Sequence, residues 1–364
     1  MSRIIVRYLN REVFNTMLVI TAVLLAIFIC NQFVRYLGDA AVGRMTARSV
    51  LQMMTIQVPL LSGFMLPLGY YLGVLVSYGR LYALNEMTAL FSLGMSRWQL
   101  LGVTMIGAGT VAVFVTVLMV WVEPEMAYYR DHILAEAAAA SPLQRMLPGR
   151  FLVVGGRYVV FAESIANGGD ALENVFAAQL PAAENHQTWN VLASKSARLV
   201  KDPETEEEYI EFQAGNRYEG NPGQRAFTMV NYKEYGVRIP KVNVAMGRQE
   251  EFVSTHDLWH EQATNPLAAA ELQWRLSMPI SVLILGLIAV SLSQVHPRQG
   301  RFAQLVPAVV VYIVYIDLLF VSRSWVEKGL LRPLIGMWWV HGLMLLLGAL
   351  LFLRFAGVLR WRRR

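Results

Sequence analysis

A single cysteine, Cys30, occurs in the whole chain, and it lies inside an apolar run. No intrachain disulfide can form, so any part that reaches an oxidising compartment is held by packing alone. Lysine is scarce too: Lys195, Lys201, Lys233, Lys241 and Lys328 are the only five. None completes a G-x-x-x-x-G-K-[ST] loop, which excludes nucleotide hydrolysis by such a loop in this chain. A G-x-S-x-G elbow and an H-E-x-x-H pair are also missing, so nothing marks a serine hydrolase or a zinc protease. Charge itself is thin. Only 16% of the 364 residues are charged and 55% are hydrophobic, where soluble domains carry about 25% charged residues. This is the composition of a membrane protein.

The net charge of +6 is unevenly placed. Residues 150–253 hold 11 basic and 14 acidic side chains, net −3, which leaves +9 on the remainder that carries the apolar runs. Basic residues flanking apolar runs are orientation signals. They argue against a nucleic-acid groove, which needs cations on a folded soluble surface.

About 20 apolar residues cross a bilayer as a helix, and six runs qualify: 13–34, 56–77, 100–122, 276–295, 302–321 and 333–353. The first follows Arg3, Arg7 and Arg11 as a signal peptide would, but it is too long for a cleavable core and is read as retained. With the N-terminus inside, the short inner segments collect twelve arginines, among them Arg80, Arg97, Arg298 and Arg301. The outer ones collect six cations: Arg35, Arg44, Arg48, Arg323, Lys328 and Arg332. Both termini are therefore expected in the cytoplasm and the long segment between the third and fourth runs outside.

That segment changes period. Short β-rich runs at 150–154, 157–162, 174–180, 188–193, 197–200, 209–214 and 228–235 alternate with turn clusters such as Gly155-Gly156 and Asn167-Gly168-Gly169-Asp170. They predict an antiparallel sandwich or open jelly roll. The expected fold is thus a six-helix membrane bundle with an inserted antiparallel β-jelly-roll-like domain. Its parts are helices one to three at 1–122, an outer segment at 123–266 with the β domain at about 150–253, and helices four to six with a basic tail at 267–364.

Few side chains offer chemistry. His256 and His260 share a helix face at metal-ligand spacing, but no third ligand is near in sequence, and a solvated face is the plainer reading. Asp317, inside the fifth run, is costly in lipid and is expected to face the bundle interior, a cavity or a partner. The loop 80–96 is more informative. Leu81, Leu84, Met87 and Leu90 or Phe91 recur at helical spacing, predicting a short helix along the membrane face, closed by Gly94 and followed by a Ser96/Gln99 capping box. Glu86 is the only carboxylate in the short inner loops, which fits either an ordinary interfacial helix or a docking helix for a cytoplasmic ATPase. At the outer end of the first run, Arg35 lies three and four residues beyond Gln32 and Asn31, on one helical face. It fits an interfacial snorkelling arginine or a contact for an anionic lipid.

Several motifs in combination carry a resemblance. They are Ile4-Ile5-Val6-Arg7-Tyr8-Leu9, Pro67-Leu68-Gly69, Glu86-Met87-Thr88 followed by Gly94-Met95-Ser96, Leu134-Ala135-Glu136-Ala137, Arg217-Tyr218-Glu219-Gly220, Glu271-Leu272-Gln273-Trp274-Arg275, and Pro297-Arg298-Gln299-Gly300-Arg301. Together they resemble the lipopolysaccharide export permease family, in its F-type branch, from the N-terminus through the sixth run. The resemblance implies an ABC exporter of the bacterial inner membrane. In it an F-type and a G-type permease pair around a cavity above a dimer of cytoplasmic ATPase subunits, which bind the ATP. The outer β domains pass lipopolysaccharide to periplasmic bridge proteins. It also implies that Arg80, Glu86 and Met87 belong to the helix that meets the ATPase. Arg35 then meets the lipid's phosphates, Gln32 standing where the family pattern has a second basic residue, and Asn31 joins them by its helical spacing alone. Two other functions fit the composition: a proton-coupled carrier using Asp317, and a membrane anchor for an outer assembly domain.

Overall fold

The computed structural model describes residues 3–41, 45–139, 148–154, 158–166, 171–179, 189–201, 208–221, 225–238, 249–294 and 305–358. The expected glycine turns at 155–156 and 167–170, Arg44, the 297–301 motif and the terminal arginines lie outside them. The chain forms two units, one of Met1–Asn31, Met54–Arg130 and Gly247–Arg364, the other of Gln32–Met53 and Asp131–Met246.

Six helical stretches are long and apolar enough to cross a membrane, as the apolar runs predict. They are α1 (Arg3–Ala41), α2 (Ala47–Ala83), the continuous stretch α4 (Arg97–Val117), a π turn (Leu118–Val122) and α5 (Glu123–Ala139), then α7 (Pro266–Leu292), α8 (Leu305–Glu327) and α9 (Trp338–Ala356). Two short helices, α3 (Glu86–Ser92) and α6 (Thr255–Glu261), complete the helical elements that the argument needs. Most spans overrun their apolar runs, because helix continues into water while hydropathy stops at the headgroups.

Packing within the first unit depends on small residues, as it must where lipid removes most of the hydrophobic drive for helix association. A Cβ at Gly69 would lie 1.9 Å from Thr21 Oγ1, and one at Gly73 would lie 3.1 Å from the Met17 backbone. Tyrosines in α2 donate across the bundle: Tyr70 to the Thr104 carbonyl at 2.6 Å and Tyr71 to the Ala308 carbonyl at 3.2 Å. Helix α7 is largely buried along its length. Asn265 caps it and Pro266 opens it, as expected from the sequence.

The sixth span begins later than hydropathy indicates, at Trp338 rather than residue 333. A separate turn precedes it, and Gln273 of α7 braces that turn. Its amide donates to the Pro333 carbonyl at 2.6 Å and accepts from the Met337 N–H at 2.8 Å, adding to the backbone bonds of the turn, from the Ile335 and Gly336 N–H groups to the Arg332 carbonyl and from the Trp338 N–H to the Ile335 carbonyl, each at 3.0 Å. Gly336, at φ +36°, lies against that amide where no side chain fits.

The inserted domain is one antiparallel sheet of six strands in uncrossed order. They are β1 (Phe151–Val154), β2 (Tyr158–Ala166), β3 (Ala171–Gln179), β4 (Trp189–Lys201), β5 (Glu208–Gly220) and β6 (Phe227–Arg238). Two runs that the sequence separates, 188–193 and 197–200, are one strand, β4. The pairing explains why. The ladder skips one residue per strand along a single line, Glu163, Asn174, Lys195, Ala214 and Lys233, with the register unchanged on either side. Asn174 and Ala214 on this line have left-handed backbone, φ 49° and 52°. Side-chain alternation slips by one there: Val160 and Ala162 face the apolar cluster and then Ile165, Leu172 and then Val175 and Ala177, Leu192 and then Ala197. The crease bends five strands together while keeping one face apolar, which a strictly alternating strand cannot do. Ser194 stitches it, its hydroxyl 2.6 Å from the Gln213 carbonyl and 2.8 Å from that of Ser196.

Candidate coupling corner and lipid-contact face

The corner between α2 and α4 is built by local signals. Arg80 lies in the last turn of α2. Asn85 then takes left-handed backbone, φ 60°, and turns the chain into α3. At the other end Gly94, φ +93°, closes α3, with the Met95 N–H on the Leu90 carbonyl at 3.1 Å. The capping box is present: Gln99 N–H to Ser96 Oγ at 3.1 Å, and Ser96 N–H to Gln99 Oε1 at 2.9 Å.

One sequence expectation is corrected at this corner. Leu84 does not share the buried face with Leu81 and Met87 but is exposed, because the turn at Asn85 breaks the helical period between them. Met87 is fully buried in the main core, so it seats α3 and presents no surface of its own. What α3 shows outward is Glu86, Thr88 and Ser92, flanked by the exposed leucines Leu84 and Leu93. Apolar side chains around one carboxylate make a small amphipathic patch. Glu86 accepts a hydrogen bond from the Tyr8 hydroxyl at 2.9 Å, and Arg80 pairs with Glu12. Both bonds tie the corner to α1, and neither is visible in the sequence, since the partners are 78 and 68 residues apart.

On α1, Arg35 and Asn31 are exposed and Gln32 is partly buried. The Gln32 carbonyl oxygen is shielded from solvent and has no hydrogen-bond partner among the described residues. Around them Phe28, Phe33, Val34 and Leu37 are exposed. The face therefore combines one cation, two amides and an apolar surround. That combination suits an anionic headgroup at the edge of hydrocarbon.

Two other candidates resolve differently from each other. Asp317 is on the exposed side of α8 with Ile313, Val314, Phe320 and Val321, so this chain's own interior does not receive it. His256 and His260 stack edge-on, their centroids 4.7 Å apart, on the exposed side of α6. No group of three metal-binding side chains occurs among the described residues. Ser254 caps α6, and its hydroxyl, then His256, hold the Asp257 carboxyl below its ordinary range.

Comparison with known proteins agrees with this architecture. The model of the family described as lipopolysaccharide export system permease LptF/LptG matches residues 7–354. The lipopolysaccharide export system permease protein LptF of Escherichia coli K12 is 32% identical over 350 residues, covering 96% of this chain and 94% of that protein. The protein of the same name from Shigella flexneri matches equally. A match that runs from the first turns of α1 to the end of α9, through bundle and inserted sheet alike, makes this chain an integral membrane member of the LptF/LptG lipopolysaccharide export permease family.

Proposed function

We propose that this chain is the F-type permease subunit of an ATP-driven exporter in the bacterial inner membrane, with both termini cytoplasmic and the β domain periplasmic. It pairs with a G-type permease, a dimer of cytoplasmic ATPase subunits meets the α3 corner, and ATP is bound and hydrolysed there and not in this chain. Lipopolysaccharide passes from the membrane to the β domain and on to periplasmic bridge proteins. The observation that carries this reading is the α3 corner itself: a helix seated by buried Met87, with one carboxylate outward between two exposed leucines. A burial-driven interface with a single charged contact uses such a patch, apolar side chains around one carboxylate. Asp317, exposed on α8 at the level of the membrane, supports a second permease or a polar cavity on that side.

Affinity purification of the tagged chain from membranes tests the assembly. An ATPase, a second permease of related sequence and a periplasmic bridge protein are expected with it. Recovery of the chain alone, from gentle detergent, removes the exporter reading.

The β domain offers a second check. Its inward face is filled by its own side chains, with Val160, Ile210 and Phe212 buried and Tyr158, Tyr235 and Val237 half-buried at the margin. A photo-crosslinking residue placed in turn at 158–161 and 209–212 is expected to trap lipopolysaccharide at Tyr158, Val160, Ile210 and Phe212, most strongly at marginal Tyr158. The outward positions Val159, Phe161, Tyr209 and Glu211 are expected to stay unlabelled. Protein adducts alone at all eight positions favour an assembly anchor instead.

A further inference from the structure

Arg275 of α7 is fully buried, and all five of its N–H groups have acceptors. Nε donates to Glu271 Oε1 at 2.9 Å. Nη1 donates to the Val253 carbonyl at 3.0 Å and to Thr255 Oγ1 at 2.9 Å, and Nη2 to the carbonyls of Glu250 at 3.3 Å and Glu251 at 3.0 Å. Four of the five therefore go to one short strap, residues 250–255, through which the chain returns from β6 to the bundle. The strap has a single 3-10 turn, Gln249–Glu251, and Arg275 caps the carbonyls that this turn leaves open. Thr255 passes the connection on. Its hydroxyl donates to the Val120 carbonyl at 3.0 Å, inside the π turn between α4 and α5, where the wider winding frees backbone acceptors.

On the other side, Glu271 uses its second oxygen to accept from Arg323 of α8 at 2.7 Å. Arg323 also bonds Glu327 at 2.9 Å and lies over the Trp274 ring at 5.0 Å. Arg130 of α5 holds Glu251 at 2.9 Å. One unbroken chain of hydrogen bonds thus joins the π turn, the strap, α7 and α8. Buried ion pairs are weak contributors to net stability, because desolvation offsets the attraction. Their strength is geometric, as a fork of fixed donors admits one arrangement of its partners.

We propose that Arg275 is a positioning residue for export, clamping the strap 250–255 to α7 and α8 so that movement of these helices is delivered to the segment that follows the β domain. The inference rests on the exporter reading above and adds to it the element that carries displacement out of the bundle. It names no contact with lipid or nucleotide.

The complete complex in proteoliposomes tests it, with Thr255→Val, Arg275→Lys and Arg275→Met. Thr255→Val is nearly isosteric and leaves the buried charges paired, so it serves where Arg275→Met fails to assemble. Loss of the relay is expected to lower lipopolysaccharide delivered per ATP hydrolysed by about fivefold or more, with hydrolysis itself retained. Arg275→Lys, with three donors and no fork, is expected between wild type and Met. A Cys30→Ser background carrying spin labels at His260→Cys and Val321→Cys reads the clamp directly. The label distance should stay the same across nucleotide states, and Thr255→Val should broaden it. An unchanged ratio and an unbroadened distance in both Thr255→Val and Arg275→Lys overturn the clamp. A wild-type complex that moves no lipid, with the label distance still narrow, instead overturns the exporter reading and leaves the clamp a structural fixture.

Discussion

Glu86→Lys is expected to abolish lipid export and to release the ATPase from the purified complex, while the permease still inserts and folds. The side chain is exposed, so its loss costs the monomer little. Its replacement by a cation puts the wrong charge at the centre of the proposed interface, between exposed Leu84 and Leu93. Truncating one partner of a desolvated charged contact costs roughly 2 kcal/mol or more, about thirtyfold in affinity, and reversing its sign costs more. Tyr8→Phe separates the two roles of this carboxylate. It removes the hydrogen bond that holds Glu86 to α1 but leaves the charge in place, and should weaken coupling only mildly. An equally severe loss in Tyr8→Phe would mean that Glu86 matters for anchoring α1 and not for a partner. Normal export by a Glu86→Lys complex that retains its ATPase would end the coupling assignment.

Arg35→Glu is expected to reduce lipid-stimulated ATP hydrolysis and export about tenfold or more, leaving basal hydrolysis unchanged. A charge-assisted hydrogen bond to a phosphate contributes roughly 1.5–3 kcal/mol, and the substitution turns it into repulsion. The neighbourhood makes the site depend on this one side chain: Gln32 supplies no charge, and its shielded carbonyl cannot help an anion. Arg44→Glu, nine residues further along the sequence, is the control and should have a much smaller effect. Equal and small losses from both substitutions would reduce Arg35 to an interfacial arginine with its head in water.

These two side chains also show how far a sequence reaches. The six spans were legible because bilayer thickness fixes a length and composition fixes a medium, both of which act on contiguous residues. The turn into α4 was legible for the same reason, since Gly94, Ser96 and Gln99 act within a few residues of one another. Glu86 stood out because no other carboxylate competes with it in the short inner loops.

Wherever a contact joined distant residues, the linear reading failed or was silent. Leu84 was placed inward because its period continues that of Leu81, and only the left-handed turn at Asn85 sets it outward. The runs 188–193 and 197–200 are parted in the sequence by the polar Ser194-Lys195-Ser196, which in the fold is where β4 crosses the crease. The slip at Asn174 and Ala214 is a property of five paired strands bending together, and no single strand encodes it. Asp317 was expected to face an interior, partner or cavity on cost alone, but which side of α8 turns inward is decided by packing against α7 and α9. Arg275 read as one residue of a recognisable motif, whereas its five acceptors lie on residues 250, 251, 253, 255 and 271 and its relay ends at residue 120. Local and compositional forces decided the elements and their medium. Strand pairing decided the crease, and directional bonds between buried polar groups, which require their partners to be brought together in space first, brace the turn before α9 and decided the clamp on the strap.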